Sequence, residues 1–172
     1  MLRFVVGMGL PLDETLYRLN NNFSESNEMG MFVTLFVARL DLKTGHMEFC
    51  NAGHNPILII PPDDEPYFLR CKPNIAMGVF GDFVYEAEQI DLKHGTRIIA
   101  YTDGVTEAEK ADQSQYGEER LMDWAKGLVE TLRATSSQEK DIVESLYESV
   151  EKFVDGNAQN DDITIVSLKL PE

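Results

Sequence analysis

Residues 31–52, MFVTLFVARLDLKTGHMEFCNA, decide the fold class. Two runs rich in β-branched and aromatic side chains flank Lys43-Thr44-Gly45-His46, and a glycine-bearing turn between such runs predicts an antiparallel hairpin. Upstream, DETLYRLNNNF (13–23) spaces Leu16, Leu19, Asn20 and Phe23 by threes and fours behind Asp13, which predicts a short amphipathic helix capped by Asp13. Downstream, PILII (56–60) continues the β pattern up to an acidic, proline-bearing loop at 61–66, and a further strand is expected at 67–69. The charges Asp63-Asp64-Glu65 read as a guard on a sheet edge.

Beyond this block, a strand is predicted from Tyr85 to Asp91, turning at Lys93-His94-Gly95 and returning as TRIIAYT to Asp103-Gly104, a second hairpin. Leu121, Trp124, Ala125, Leu128 and Leu132 recur at helical spacing after Gly117. Ile142, Val143, Leu146, Val150, Phe153 and Val154 do so again after a Ser136-Ser137 break. The run Ile163 to Leu170 alternates as a strand buried on at least one face. Strands grouped apart from helices predict a layered α+β domain, with helices covering mostly antiparallel sheet.

Composition narrows the function classes. A chain of 172 residues with 43% hydrophobic content fits one globular domain with a core of its own. Thirty acidic against 15 basic residues give a formal charge of −15, which opposes a phosphate backbone, so nucleic-acid binding is disfavoured. No apolar run reaches the roughly 20 residues of a membrane span, and the opening MLRFVVGMGL lacks the features of a secretory signal, so a cytoplasmic location is expected. Two cysteines, Cys50 and Cys71, make neither a metal cluster nor a disulfide framework, and both are expected reduced and buried.

Two strand ends carry carboxylates. In RIIAYTDGVTEA the apolar run stops at Asp103, where Gly104 lets the backbone turn; in AQNDDITIVSLKL the pair Asp161-Asp162 stands directly before the last strand. Taken alone, these residues leave two readings open: an ordinary turn and a solvated loop, or hard oxygen ligands that converge on Mg²⁺ or Mn²⁺ if the two strands are neighbours. Neither cysteine sits in an amide-rich anion-binding loop, which argues against a cysteine nucleophile: Cys50 lies in the strand-like MEFCNA, and Cys71 between Arg70 and Lys72.

Four segments in order, MFVTLFVARLDLKTGHMEFCNAGHNPILI, IAMGVF, GTRIIAYTDGVTEA with YGEERL, and NDDITIVSLKL, resemble the stage II sporulation E type branch of the metal-dependent, protein phosphatase 2C-like (PPM) family over residues 31–170. The resemblance implies a four-layer α-β-β-α sandwich of antiparallel sheets. It also implies a two-metal site for Mn²⁺ or Mg²⁺ with Asp103 and Asp161 as catalytic metal ligands, Asp162 in support and Gly104 structural. His54 and Asn51, in NAGHNP, approach the site by similarity, although a polar residue ending a hairpin is as readily satisfied by backbone. Two cations roughly 3.5–4 Å apart would bind the phosphoryl oxygens and acidify a water, with no covalent phosphoenzyme. Glu107 reads as a solvated glutamate or as a group reaching that water, and Trp124 as a core anchor.

The expected activity is serine/threonine dephosphorylation of a bacterial regulatory protein such as an anti-sigma factor antagonist, in signal transduction and sigma factor regulation, with an upstream sensor or receiver domain in the full-length protein. Family members also carry an early Asp-Gly pair and an Asp-x-Ser-Gly-Lys/His-Gly stretch, and neither occurs here; MLRFVVGMG resembles the tail of the helix that the latter opens. Residues 1–172 are therefore expected to form a single PPM-type domain lacking its first strands and first metal-binding Asp-Gly motif, a fragment or truncated start. The alternative is a catalytically inactive PPM-fold interaction module. Sheet edges exposed in this way would favour a homodimer.

Overall fold

The computed structural model describes residues 10–134 and 141–172. The expected helix tail in MLRFVVGMG and the Ser136-Ser137 break lie outside the described residues, as does the side chain of Leu132. The chain divides into two compact units, residues 1–54 with 70–92, and residues 55–69 with 93–172.

In the first unit, helix α1 (Leu12–Glu25) precedes strands β1 (Leu35–Leu40), β2 (His46–Ala52) and, after the excursion through residues 55–69, β5 (Glu88–Asp91). The sheet order is β1-β2-β5. The predicted hairpin is present, with Leu35 opposite Ala52 and Leu40 opposite Met47. Its turn closes through Gly45 at φ +74°, where glycine meets no Cβ penalty. β1 is shorter than the sequence pattern because Val33 leaves the ladder to bridge Met77. Cys50 and Ala52 on one face of β2 join Leu12, Leu16 and Leu19 of α1, together with Met77 and Tyr85, in a buried cluster. The expected cap is corrected: Asp13 lies inside the first turn and the N-cap is Pro11, whose carbonyl accepts from the Thr15 hydroxyl at 2.8 Å.

Asn20, on the same buried face of α1, fixes the IAMGVF segment. Its Nδ2 donates to the Phe80 carbonyl at 2.8 Å, and its Oδ1 accepts from the Gly78 amide at 2.9 Å and the Tyr85 hydroxyl at 3.3 Å. Asn20→Ala strands those main-chain groups and is expected to cost about 3 kcal/mol, read as a lower urea midpoint at unchanged slope. Burial also raises the Cys50 thiol and the Tyr85 phenol to about 12 each. Both are acids whose folded pKa exceeds the unfolded one, so their contribution is complete below about pH 9 and is lost as pH rises toward 12. Chemical denaturation between pH 8 and 11 should therefore show falling stability, and Cys50 should be alkylated only on unfolding. Both cysteines are free, Cys50 buried as expected and Cys71 only half-buried, contrary to expectation.

In the second unit, β3 (Leu58–Ile60), β4 (Tyr67–Phe68), β6 (Arg97–Tyr101) and β7 (Ile165–Lys169) form a sheet in the order β4-β3-β6-β7. Helices α2 (Asp103–Thr106), α3 (Gly117–Ala134) and α4 (Ile142–Val154) complete it. Leu58, Ile60, Ile99 and Tyr101 from the sheet bury against Leu121, Ala125, Leu128, Leu146 and Val150 from the two long helices. Trp124 packs at the margin of that cluster and donates to the Ser145 hydroxyl at 3.3 Å. Asp141 caps α4 by accepting from the Val143 and Glu144 amides at 3.0 and 3.3 Å. The acidic loop 63–65 leads into β4, an edge strand, as the guard reading requires.

The second predicted hairpin is corrected. β5 pairs with β2 and β6 with β3 and β7, so the two runs flanking Lys93-His94-Gly95 belong to different sheets. The Leu92 amide donates to the Gly45 carbonyl and the Gly95 amide to the Pro171 carbonyl, so each side of the turn is engaged with a different neighbour. β7 is half-buried on one face, at Ile165 and Ser167, and open on the other, with Val166 at 56% and Leu168 at 41% exposure.

Candidate active site

β6 and β7 are neighbours in register, Tyr101 opposite Ile165, which meets the condition set by the acidic strand ends. Past the last ladder pair, the Thr102 amide donates to the Thr164 carbonyl at 3.0 Å. The Thr102 hydroxyl donates to the Asp162 carbonyl at 2.8 Å and accepts from the Thr164 amide at 2.9 Å. These bonds carry the strand pairing beyond the sheet and bring the Asp103-Gly104 turn against the Asp161-Asp162 loop. Thr102 was not singled out in the sequence; its position directly before Asp103 was the available signal.

Gly104 is required by closeness. A Cβ there would stand 2.6 Å from the Asp162 carbonyl oxygen and 3.2 Å from that of Asp161. Asp103 and Asp161 are both exposed. One oxygen of each carboxylate is held locally, Asp103 Oδ1 by the Gly104 amide at 3.1 Å and Asp161 Oδ1 by the Asp162 amide at 2.7 Å. The second oxygen of each makes no hydrogen bond among the described residues. Asp162 contributes its main chain to this contact through the carbonyl that Thr102 binds.

A cavity of about 170 Å³ opens here, lined by Gly104, Glu107, Ala108, Glu109, Gln115, Asn160 and Asp161. Glu107 is exposed at the end of α2 and lines it. Glu109 is tied across it: Oε1 accepts from Gln115 Nε2 at 3.2 Å, Oε2 from Asn160 Nδ2 at 3.1 Å, and its carbonyl from Asn157 Nδ2 at 2.9 Å. No sequence signal marked Glu109, because its partners are six and about fifty positions away and only the folded backbone brings them together.

His54 belongs to the first unit. Its amide donates to Asn51 Oδ1 at 2.7 Å, and Asn51 Nδ2 donates to the His54 carbonyl at 2.9 Å, a reciprocal clasp around Gly53 at φ +75°. Asn51 is thus satisfied by backbone. The NAGH sequence is what this tight turn requires.

The donor set at the strand ends is hard oxygen, which suits Mg²⁺ or Mn²⁺ in kind. In number it is small: among the described residues no group of three or more His, Cys, Asp or Glu side chains comes together to hold a metal ion.

Two antiparallel sheets with helices match the fold of the PP2C-like phosphatase domains. The chain is similar to the PP2C phosphatase domain with a regulatory fragment of SpoIIE from Bacillus subtilis, at TM-score 0.78 and 22% identity over 99% of this chain and 48% of that one. It is similar also to the RsbU and RsbW domains of Rv1364c from Mycobacterium tuberculosis, at TM-score 0.74 and 22% identity over 99% and 46%. The family model of stage II sporulation protein E matches residues 1–171, and the chain belongs to that family. In sequence it is 31% identical to protein IcfG of Synechocystis sp. over 88% of this chain and 23% of that protein. It is 26% identical to the phosphoserine phosphatase RsbU of Bacillus subtilis over 94% and 46%. The chain thus spans less than half the length of these curated relatives. No helix among the described residues is long and apolar enough to cross a membrane.

Proposed function

We propose that this chain supplies the catalytic part of a metal-dependent protein serine/threonine phosphatase acting on a phosphorylated regulatory protein such as an anti-sigma factor antagonist. The observation that carries the reading is the meeting of the Asp103-Gly104 turn with the Asp161-Asp162 loop at the paired ends of β6 and β7. Membership of the stage II sporulation protein E family and similarity to a phosphoserine phosphatase support the chemistry. Similarity to a structure that joins RsbU and RsbW domains supports a regulatory protein as partner.

In this reading Asp103 and Asp161 hold Mn²⁺ or Mg²⁺, Gly104 admits the loop that carries Asp161, Asp162 fixes that loop through Thr102, and His54 with Asn51 shapes its own turn. When bound, divalent cations supply charge neutralisation of the phosphoryl oxygens and an acidified water. The protein's part is to place two carboxylates whose negative charge repels the phosphate dianion until that charge is balanced. Residues 1–172 act within a single cytoplasmic PPM-type domain that takes its early Asp-Gly ligands from the full-length protein, and the Mn²⁺-binding and phosphate-release measurements proposed for it are therefore made on the full-length protein. An upstream sensor or receiver domain controls it, and a homodimer forms through open sheet edges.

The small donor set favours a second reading, an inactive PPM-fold module that binds its partner without hydrolysing it. One assay separates them. With Mn²⁺ present, a phosphoserine peptide should release inorganic phosphate and a phosphotyrosine peptide should not; partner binding without release supports the inactive module.

A further inference from the structure

We propose that Glu109 is a positioning residue for the metal site, locking the loop that carries Asp161 to the segment that carries Asp103. The inference rests on the metal-dependent reading above. Glu109 stands six positions after Asp103, past the single turn of α2, and forms an isolated antiparallel bridge with Gln115. That bridge is one rung of a small flap: the Tyr116 amide donates to the Ala108 carbonyl at 2.8 Å, and the Lys110 amide to the Ser114 carbonyl at 3.0 Å. Glu109 is half-buried, whereas Asp103, Asp161 and Asn160 are exposed.

From the flap Glu109 reaches residues 157–160 with both its main chain and its side chain. Its carbonyl takes the Asn157 amide group and its Oε2 the Asn160 amide group, one residue before Asp161. Its other carboxylate oxygen is occupied by Gln115, so the carboxylate is spanned by two side-chain donors and cannot swing toward a cation without breaking both bonds. Glu109 therefore acts through the loop and not as a ligand. Further along the loop, Gln159 Nε2 donates to the Asp161 carbonyl at 2.5 Å. The Asp161 loop is thus held from two sides, by Thr102 at Asp162 and by Glu109 at Asn157 and Asn160. Removing one leaves the carboxylate in place on average but free to wander, which weakens cation binding more than it slows turnover of the loaded protein.

The variants are Glu109→Ala, Glu109→Gln and Asn160→Ala. Glu109→Gln keeps one acceptor oxygen and opposes its own amide to one of the two donors, so it should fall between wild type and alanine. Removal of a group that hydrogen-bonds a metal ligand directly typically costs about 10–100-fold in affinity, and Glu109 acts one step further out, through Asn160. Glu109→Ala should accordingly sit at the low end, raising the Mn²⁺ dissociation constant roughly tenfold in calorimetry, with kcat at saturating Mn²⁺ within about threefold of wild type. Asn160→Ala should match it, and the double variant should add little to either single.

A second readout needs neither metal nor turnover. Hydrogen–deuterium exchange in metal-free protein should speed up in the peptide spanning 157–164 and stay unchanged in β3. Unchanged exchange at 157–164, or an unchanged Mn²⁺ constant in Glu109→Ala while Asp103→Asn abolishes binding, overturns the positioning role alone. Mn²⁺ binding that survives Asp103→Asn overturns the metal-dependent reading on which it rests.

Discussion

Asp103→Asn is expected to reduce Mn²⁺-supported release of phosphate from a phosphoserine peptide by roughly a thousandfold, since a Lewis-acid cation is worth several kcal/mol and each 1.36 kcal/mol is tenfold in rate. Asparagine has nearly the same shape and keeps the oxygen that accepts the Gly104 amide, so the turn stays intact. What is lost is the charge. Because Asp103 is exposed, thermal stability should change little, and this separates loss of a ligand from loss of the fold. A variant that keeps wild-type turnover would remove Asp103 from the chemistry.

Gly104→Ala should have the second-largest effect, for a different reason. The added methyl would meet main-chain oxygens of Asp162 and Asp161 at 2.6 and 3.2 Å, and a backbone held by Thr102 cannot yield as a flexible side chain does. Overpacking of this kind costs about 1–3 kcal/mol. The relief available is a shift of the 161–162 loop away from Asp103, and a displacement of about 1 Å at a reacting group can cost a hundredfold in rate. Gly104→Ala is thus expected to lower both the melting temperature and phosphate release. Full activity at a lower melting temperature would mean that the loop is not part of the site.

Much of this arrangement could be read in the sequence because it is local. The apolar run that stops at Asp103, the glycine that follows, and the Asp-Asp pair before the last strand are features of short segments, and the periodicity of Leu121 to Leu128 and of Ile142 to Val154 reports helices directly. The Lys93-His94-Gly95 turn misled because a turn signal reports that the chain reverses and says nothing of which strand lies beside it. Hydrogen bonding with β2 captured β5. Asp13 was misplaced by two residues because a first-turn aspartate and an N-cap aspartate leave the same trace in the sequence. The clasps made by Thr102, Asn20 and Glu109 join positions about fifty to sixty apart, and no periodicity encodes such pairings.

On the proposed reading Asp103 and Asp161 together hold a divalent cation. Titration calorimetry of Mn²⁺ into the wild-type protein, Asp103→Asn and Asp161→Asn tests it most directly. Saturable binding by the wild type and none by either variant at the same concentrations is expected, with all three folded by circular dichroism; binding of equal strength in all three would place the metal elsewhere.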